Sequence, residues 1–270
     1  MRTLVHLSDL HFGRVDPPLL VPLARAVREA RPHVVVVSGD LTQRAKSAEF
    51  RDARRFLDTL PEPLIVVPGN HDVPLYNLVQ RFLQPLAKYR RYISRDVEPA
   101  FVDDEIAVVG VNTARSASFK GGRINKAQIA RVRERLAGLD RRITKIVVTH
   151  HPFDLSSEHD VRAIVGRAHL AMQAFAACGA DILLAGHLHT SRIGDTAARY
   201  PIERFAALVV QAGTATSVRA RGEANSFNVL RLEPHAATIE RFAWNGADFT
   251  RTAADTFERA GDGWRRRLSP

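Results

Sequence analysis

Carboxylate, imidazole and amide side chains recur in five short motifs along the chain. The motifs are Asp9-Leu10-His11, Gly39-Asp40, Gly69-Asn70-His71-Asp72, His150-His151-Pro152 and Gly186-His187-Leu188-His189. Six of the eleven histidines fall inside these motifs. Carboxylate combined with imidazole is a ligand set for a first-row transition metal, whereas oxygen ligands alone would suit magnesium or calcium. The residue types therefore indicate a transition-metal site.

Each motif directly follows an apolar run with the features of a buried strand. The runs are rich in Val and Ile and lie at 4–7, 34–37, 64–67, 143–149 and 182–185, with a further predicted strand at 106–111. Ligands gather outside the carboxyl ends of strands in open α/β sheets, so we expect the motifs to converge at one edge. Glycine at 39, 69 and 186 is expected where the backbone bends sharply or approaches a ligand.

Helical patterns lie between the predicted strands. Residues 46–60 and 125–139 each place four apolar side chains on one face, and Asn125 with Gln128 resembles a capping box. Further helices are predicted at 19–31 and 161–178. Late strands at 208–212, 228–232 and 238–244 are expected to form a second sheet packed on the first. The alternation predicts an α/β fold with helices covering the sheets, in one domain spanning residues 1–270.

Composition restricts the location and the partners of the protein. The single cysteine, Cys178, cannot form an intramolecular disulfide, and its apolar surroundings favour a core position. The N-terminus reaches polar residues too soon for a signal-peptide core, and the longest apolar runs are strand-sized. We therefore expect a cytoplasmic protein without a membrane partner.

The net charge of +10 comes mainly from arginine, with 34 Arg against 5 Lys. The basic residues are scattered along the chain, whereas a nucleic-acid groove usually interleaves them with aromatic residues on one element. A solvated basic surface is the simpler interpretation, and nucleic acid is the less favoured partner. A positive field would still attract a small anionic phosphoester substrate.

Taken in order, the five motifs resemble those of the calcineurin-like metallophosphoesterases. Within that superfamily, the segment Gly213-Thr214-Ala215 leading to Asn225-Ser226-Phe227 looks similar to bacterial class III cyclic nucleotide phosphodiesterases. The resemblance implies a four-layer α-β-β-α double β-sandwich with a dimetal site at the carboxyl ends of the strands. It implies one ion held by Asp9, His11, Asp40 and His189, and a second held by Asp40, Asn70, His150 and His187.

The bridging role falls on Asp40, whose two oxygens are each expected to face one cation. Two divalent or mixed-valence ions (Mn, Fe or Zn) about 3.5–4 Å apart can clamp the attacking and leaving oxygens of an in-line displacement. We predict a metal-bridging hydroxide as the nucleophile, with His71 as general acid for the leaving alkoxide. Asp72 is expected either to orient His71 or to support the turn, and His151 to lie beside the ligands or near the substrate.

Segments 73–95 and 152–160 follow ligand motifs directly and are predicted to form the walls of the substrate pocket. The candidates are Tyr76, Asn77, Phe153 and His159. Arg115 and Arg123 flank a glycine-containing loop, where either could reach a substrate phosphate, although a surface position is the simpler interpretation.

The predicted activity is hydrolysis of small phosphodiesters, with 3′,5′-cyclic nucleotides as the named substrate. One alternative is a nuclease of the same superfamily, similar to repair exonucleases, which the basic charge favours. Those enzymes usually carry a DNA-capping domain, for which we expect no room after residue 245. A pyrophosphatase acting on a lipid A precursor would need an apolar insertion that the sequence does not show. A catalytically inactive metal-binding scaffold is the non-enzymatic alternative. The oligomeric state is left open, a dimer included.

Overall fold

The computed structural model describes residues 1–118, 120–155, 161–218, 222–261 and 263–267. Its strands are β1 (Arg2–Leu7), β2 (Val34–Val37), β3 (Leu64–Val66), β4 (Ala100–Val102), β5 (Ile106–Gly110), β6 (Thr144–Val148), β7 (Ile182–Ala185), β8 (Arg192–Asp195), β9 (Leu208–Gln211), β10 (Ser226–Glu233), β11 (Ala236–Trp244), β12 (Phe249–Ala260) and β13 (Gly263–Arg266). Its helices are α1 (Leu20–Glu29), α2 (Ser47–Leu57), α3 (Leu78–Leu83), α4 (Ala87–Tyr92), α5 (Lys126–Leu136) and α6 (Ala168–Cys178).

The strands form two sheets, and the central strands within each sheet run parallel to one another. The first has the order β13-β12-β11-β10-β1-β2-β3, and the second has the order β4-β5-β6-β7-β9-β8. β1, β2 and β3 run parallel, as do β5, β6, β7 and β9. Each parallel group therefore directs its carboxyl ends to one edge, as the sequence predicts.

The late strands do not form a sheet of their own, so that expectation was wrong. β10 pairs antiparallel with β1, and β11 to β13 extend the first sheet from there. β9 instead joins the second sheet beside β7. Without these neighbours β1 and β7 would expose unpaired backbone groups at a sheet edge, which is why the late strands divide between the two sheets.

Alternating side chains of the strands pack into three apolar layers, one between the two sheets and one between each sheet and its helices. On β2, Val34 and Val36 pack between the two sheets, whereas Val35 and Val37 pack outward against α1 and α2. On β6, Val147 faces outward toward α5 and α6. The two sheets therefore face each other, with helices on both outer surfaces. This is the predicted α-β-β-α arrangement.

Three predicted helices occur at the expected positions, as α1, α2 and α5, and the Asn125–Gln128 capping box is present. The helix predicted at 161–178 begins only at Ala168, so its first third was wrong. The backbone there bonds to other segments: Gly166 N–H donates to the Gly122 carbonyl, and the Gly166 carbonyl accepts from Ile124. Such bonds are incompatible with continuing the helix ladder. Within the described ranges, no helix has the length and apolarity needed to cross a bilayer.

Candidate metal centre

The turns that follow β1, β2, β3, β6 and β7 bring the five sequence motifs together. Potential ligand atoms lie within 4.8 Å of one another in the groups Asp9–His11–His189, Asp9–Asp40–His150 and His11–Asp40–His71. A fourth group joins His150, His151 and His187. These groups share members, so they form one continuous cluster rather than separate polar patches.

One half of the cluster surrounds Asp9. Its Oδ1 lies 3.5 Å from His11 Nε2 and 3.4 Å from His189 Nε2. The two imidazole rings stack, with their centroids 5.0 Å apart. All three side chains are buried, so this half offers one oxygen and two ring nitrogens to a common point.

The other half surrounds His150. Its Nε2 lies 3.3 Å from Asp40 Oδ2 and 3.1 Å from Asn70 Oδ1. The ring of His187 lies beside it, with centroids 5.1 Å apart. The structure therefore groups the four side chains that the resemblance assigned to the second ion.

Asp40 joins the two halves through a single oxygen. Oδ2 lies 3.7 Å from His11 Nε2 on one side and 3.3 Å from His150 Nε2 on the other. Oδ1 accepts a hydrogen bond of 2.8 Å from the backbone N–H of His71. This differs from the expectation that each oxygen would face one cation, because the turn uses Oδ1 for its own backbone.

Five of the seven predicted ligands have a left-handed backbone. Their φ values are 54° at Asp9, 49° at His11, 53° at Asp40, 73° at His187 and 61° at His189. Asp and His tolerate this region better than most residues, but it remains uncommon. Strained conformations persist where the surroundings hold them, and they concentrate at functional sites.

Three glycines make room for the cluster. A Cβ on Gly69 would lie 2.1 Å from Asp40 Oδ1, and one on Gly186 would lie 2.5 Å from Asp9 Oδ2. A Cβ on Gly39 would lie 2.7 Å from His150 Nδ1. The predicted close approach of the backbone at these positions is confirmed.

Two of the ligand rings have their outward nitrogens held by other parts of the chain. His150 Nδ1 donates to the Ser38 carbonyl at 2.8 Å, and His189 Nδ1 lies 3.2 Å from the Thr214 hydroxyl oxygen. Metal-binding histidines usually have such a partner, which sets the tautomer and points Nε2 at the ion. The opposite oxygen of Asp9, Oδ2, accepts from Ser8 Oγ at 2.6 Å and from His187 N at 3.0 Å.

The residues present fit a cation. Asp9 Oδ1 is buried and has no hydrogen-bond partner in the described part of the chain, although it faces two ring nitrogens. An orphaned buried carboxylate oxygen is costly unless a charge satisfies it. A metal ion among these atoms would do so.

The charge of the carboxylates and of His187 suits metal binding, whereas His150 must lose a proton to become a ligand. Burial pushes the pKa of Asp40 upward, but His150 and His11 outweigh it and hold that pKa well below its usual range. Burial likewise opposes ionisation of His150, yet Asp40 and Asp9 raise its pKa to about 9. Burial and the neighbouring His150 lower the pKa of His187 to about 4. The carboxylates are therefore ionised, and His187 is already neutral.

Asp72 supports the turn rather than orienting His71. Its carboxylate accepts from the backbone N–H groups of Leu41, Thr42 and Gly69 at 3.2, 2.9 and 2.9 Å, and from the Thr42 hydroxyl at 2.9 Å. Burial and the nearby Asp40 raise its pKa to about 6 against these donors.

The His71 ring is oriented by another group, the Gln43 carbonyl, to which Nδ1 donates at 2.8 Å. His71 packs edge-on against His11, with centroids 4.9 Å apart. It thus borders the first half of the cluster, with its second nitrogen, Nε2, on the side away from Gln43.

Both ring nitrogens of His151 are engaged by the protein. Nε2 donates to the Lys120 carbonyl at 3.0 Å, so Nδ1 accepts from the Thr113 hydroxyl at 2.8 Å. Burial, followed by the charges of His187 and His150, lowers its pKa well below the usual range. His151 is therefore a neutral neighbour of the cluster, in keeping with the predicted position beside the ligands.

The predicted pocket walls have mixed outcomes. Tyr76 is exposed and its hydroxyl contacts Arg44, whereas Asn77 caps α3 by accepting from Gln80 N at 2.9 Å. Phe153 is buried against Phe175 in the core of the second sheet, so its assignment to a substrate wall was wrong. His159 lies outside the described residues.

Sequence reasoning missed the groups that orient the ligands. Ser38 and Gln43 act through backbone carbonyls, which every residue carries and which leave no trace in the sequence. Thr214 had a usable signal, because it closely follows the predicted strand at 208–212 and so belongs at the same edge.

Comparison with known proteins agrees with this geometry. Residues 2–191 match the family model described as calcineurin-like phosphoesterase. The chain is 26% identical over 166 residues to the glycerophosphodiester phosphodiesterase GpdQ of Enterobacter lignolyticus, covering 57% of this chain and 58% of that protein. It is 26% identical over 151 residues to a probable GpdQ of Arcobacter nitrofigilis, covering 52% and 50%. The chain thus spans little more than half the length of these relatives.

Solved structures confirm the fold. Purple acid phosphatase PPD1 from yellow lupin superposes with a TM-score of 0.72 at 14% identity, over 96% of this chain and 54% of that one. A dimetal phosphatase from Danio rerio superposes with a TM-score of 0.63 at 14% identity, over 96% and 99%. The four-layer double β-sandwich predicted from the motifs is therefore confirmed.

Proposed function

Because the chain belongs to the calcineurin-like phosphoesterase family, we propose that it hydrolyses small phosphodiesters at a two-metal centre. The proposed ligands are the seven side chains of the cluster, Asp9, His11, Asp40, Asn70, His150, His187 and His189. The observation that carries the proposal is the position of Asp40 Oδ2, 3.7 Å from His11 Nε2 and 3.3 Å from His150 Nε2. A carboxylate oxygen between two groups of ligands is placed to serve two cations.

Two divalent ions held there would generate hydroxide from water near neutral pH and neutralise charge on the phosphoryl oxygens. The chain contributes preorganisation. Ser38 and Thr214 hold the outer nitrogens of His150 and His189, so the inner nitrogens need no reorientation when an ion arrives. The mixed oxygen and nitrogen donors support manganese, iron or zinc as the ions.

His71 is the proposed general acid. Its Nδ1 donates to the Gln43 carbonyl, so the imidazolium form of His71 would carry the transferable proton on Nε2. His71 is held to the proposed bridging carboxylate by its backbone N–H, which donates to Asp40 Oδ1, and not by a ring nitrogen. In this position it can protonate the departing alkoxide.

The substrate class rests on two kinds of support. The names of the two GpdQ relatives favour glycerophosphodiesters, and the segment from Gly213 to Phe227 favours 3′,5′-cyclic nucleotides by resemblance. In the structure Thr214 of this segment lies against His189, a proposed metal ligand, and this contact favours neither substrate over the other. We therefore propose a small phosphodiester from one of these two classes.

The first experiment tests the reaction. Metal-depleted protein is reconstituted separately with manganese, iron or zinc, and turnover of bis(4-nitrophenyl) phosphate is followed with and without a chelator. We expect turnover that depends on metal and falls by at least about a hundredfold in Asp40→Asn. Equal activity in the presence of chelator, or full activity of Asp40→Asn, would exclude the proposed centre.

A second experiment separates the substrates. Glycerophosphocholine, cyclic AMP, single-stranded DNA and duplex DNA are compared on the same reconstituted protein. Preference for either of the small diesters supports the proposal. Preference for DNA would assign the chain to the nuclease alternative that its charge of +10 allows.

A further inference from the structure

A cavity of about 520 Å³ lies beside the proposed metal centre, between the β5–α5 loop and the start of α6. We call it the arginine cavity, because three of the side chains that line it are Arg115, Arg123 and Arg167. Small residues, among them Gly121 and Gly122, form much of the remaining wall. The cavity is large enough to hold part of a small ligand.

The arginine cavity carries a net positive charge, which the nearby Glu98 offsets only in part. Across the described ranges, no carboxylate oxygen lies within 4.0 Å of any of its three guanidinium groups. Arg115 donates instead to the Arg123 carbonyl at 2.7 Å and to Gln128 Oε1 at 3.0 Å, both neutral acceptors. Burial, then the charges of Arg123 and Arg167, lowers the pKa of Arg115. An anion would relieve this repulsion.

Several arginines elsewhere in the protein make ion pairs. Arg192 and Arg199 both reach Asp154, at 2.9 and 2.6 Å. Arg131 lies on the helix next to the cavity and pairs with Glu98 at 2.6 Å. The three guanidinium groups that line the arginine cavity make no ion pair of this kind with the described residues, and they share one concave wall.

The backbone holds the two exposed arginines on linked segments. Arg123 N–H donates to the Thr113 carbonyl at 2.9 Å, and Gly166 N–H donates to the Gly122 carbonyl at 2.8 Å. Arg167 follows Gly166 with a left-handed φ of 67°. These bonds hold the backbone of both residues at the same opening, so only their side chains must be ordered when an anion binds there.

One imidazole ring separates this loop from the metal centre. A Cβ on Gly122 would lie 2.2 Å from His151 Nδ1, and the Lys120 carbonyl accepts from His151 Nε2. The other side of His151 packs on His150 and His187, with centroids 5.0 and 4.6 Å apart. A ligand bound in the arginine cavity is thus a near neighbour of a phosphodiester bound at the metals.

We propose that the arginine cavity binds a second anionic group of the substrate, so that preferred phosphodiesters carry a phosphate on one arm besides the scissile diester. Guanidinium groups match phosphate because they donate in a planar fork to two oxygens at once. The proposal rests on the proposed function for its substrate, but the cavity can also be tested without turnover.

The kinetic test uses two substrates that differ only in the second phosphate. They are thymidine 5′-(4-nitrophenyl phosphate) and its 3′-phosphorylated analogue, and both release 4-nitrophenolate. We expect the wild-type protein to favour the analogue. Arg123→Gln and Arg167→Gln should each reduce the ratio of the two kcat/KM values by about tenfold, the scale of one charge-assisted contact.

The control is Arg55→Gln on α2, an exposed position that removes the same charge far from the arginine cavity. Because Arg55→Gln alters only the overall electrostatic field, the ratio of the two kcat/KM values should stay within about twofold of wild type. Equal ratios in the cavity variants and in this control would overturn the proposal.

A binding test separates the cavity from the reaction. Calorimetric titrations compare thymidine 3′,5′-bisphosphate with thymidine 5′-monophosphate on wild type, Arg123→Gln and Arg55→Gln. Tighter binding of the bisphosphate that is lost only in Arg123→Gln supports the arginine cavity, even if the wild type hydrolyses neither substrate and the proposed function fails. Equal affinities for the two nucleotides in the wild type would overturn it.

Discussion

A single methyl group added at Gly69 should displace the carboxylate that we propose to bridge the two ions. The new Cβ would lie 2.1 Å from Asp40 Oδ1 and 2.3 Å from Asp40 N. Ordinary contact begins near 3.4 Å, so the overlap with the carboxylate is about 1.3 Å. One of the two clashing atoms is backbone, so a rotation of the Asp40 side chain cannot relieve the strain.

The expected result of Gly69→Ala is a folded protein with an impaired centre. Overpacking of this size costs about 1–3 kcal/mol of stability. A misplacement of about 1 Å near the reacting groups costs about a hundredfold in turnover. The Gly69 N–H also donates to the Asp72 carboxylate at 2.9 Å, and this hydrogen bond opposes movement of the Gly69 backbone away from Asp40. Metal content, thermal unfolding of metal-free protein and turnover are measured together.

Gly194→Ala is the matched control. The atom nearest to its new Cβ would be in the guanidinium end of Arg192, at 3.0 Å, and a shift of a few tenths of an ångström by that side chain relieves the contact. Neither Gly69 nor Gly194 has a positive φ, so the two substitutions differ mainly in what they touch. The reasoning is refuted if folded Gly69→Ala retains two ions and turnover within about twofold of Gly194→Ala.

Three further predictions concern individual side chains. His71→Ala should keep its metals but lose about a hundredfold in turnover of an alkyl phosphodiester. The loss of turnover should be much smaller for a 4-nitrophenyl ester, because its leaving group needs no proton. A loss of bound metal in His71→Ala would instead show that His71 is a ligand. Thr214→Val removes the oxygen 3.2 Å from His189 Nδ1 and should weaken metal binding by about tenfold or more, whereas unchanged affinity in a metal titration argues against this support. Because the pKa of His150 is about 9 and a ligand must be deprotonated, metal binding at pH 7 should release a proton and weaken as the pH falls below 9. Calorimetry in two buffers of different ionisation enthalpy measures this release, and none at pH 7 would contradict the assignment.

Elements with a strong local pattern were predictable from the sequence. β2 and β7 lie at the predicted positions, and α2 and α5 bury the expected faces. α3 and α4 have six residues each, too few for a helical period to emerge. β12 was missed for a related reason, because half of its side chains are exposed and polar residues outnumber apolar ones.

Long-range pairing was beyond the reach of local patterns. The late strands were recognised, but their division between the two sheets depends on which edges β1 and β7 leave open after folding. Local patterns also failed for Phe153. Its aromatic type and its position after a ligand motif suited a pocket wall, but in the structure it packs in the core of the second sheet.

For the candidate centre, the sequence by itself determined which side chains are available and that they follow successive strands. Strand ends meet at one edge, so residue type and order are enough to predict a gathering of ligands. Only the tertiary structure decided that Asp40 presents one oxygen to both halves, and that Ser38, Gln43 and Thr214 orient the rings. Those details depend on atoms brought together from distant segments to within hydrogen-bond distance. The arginine cavity has the same origin, since Arg123 and Arg167 become neighbours only when α6 packs beside the β5–α5 loop.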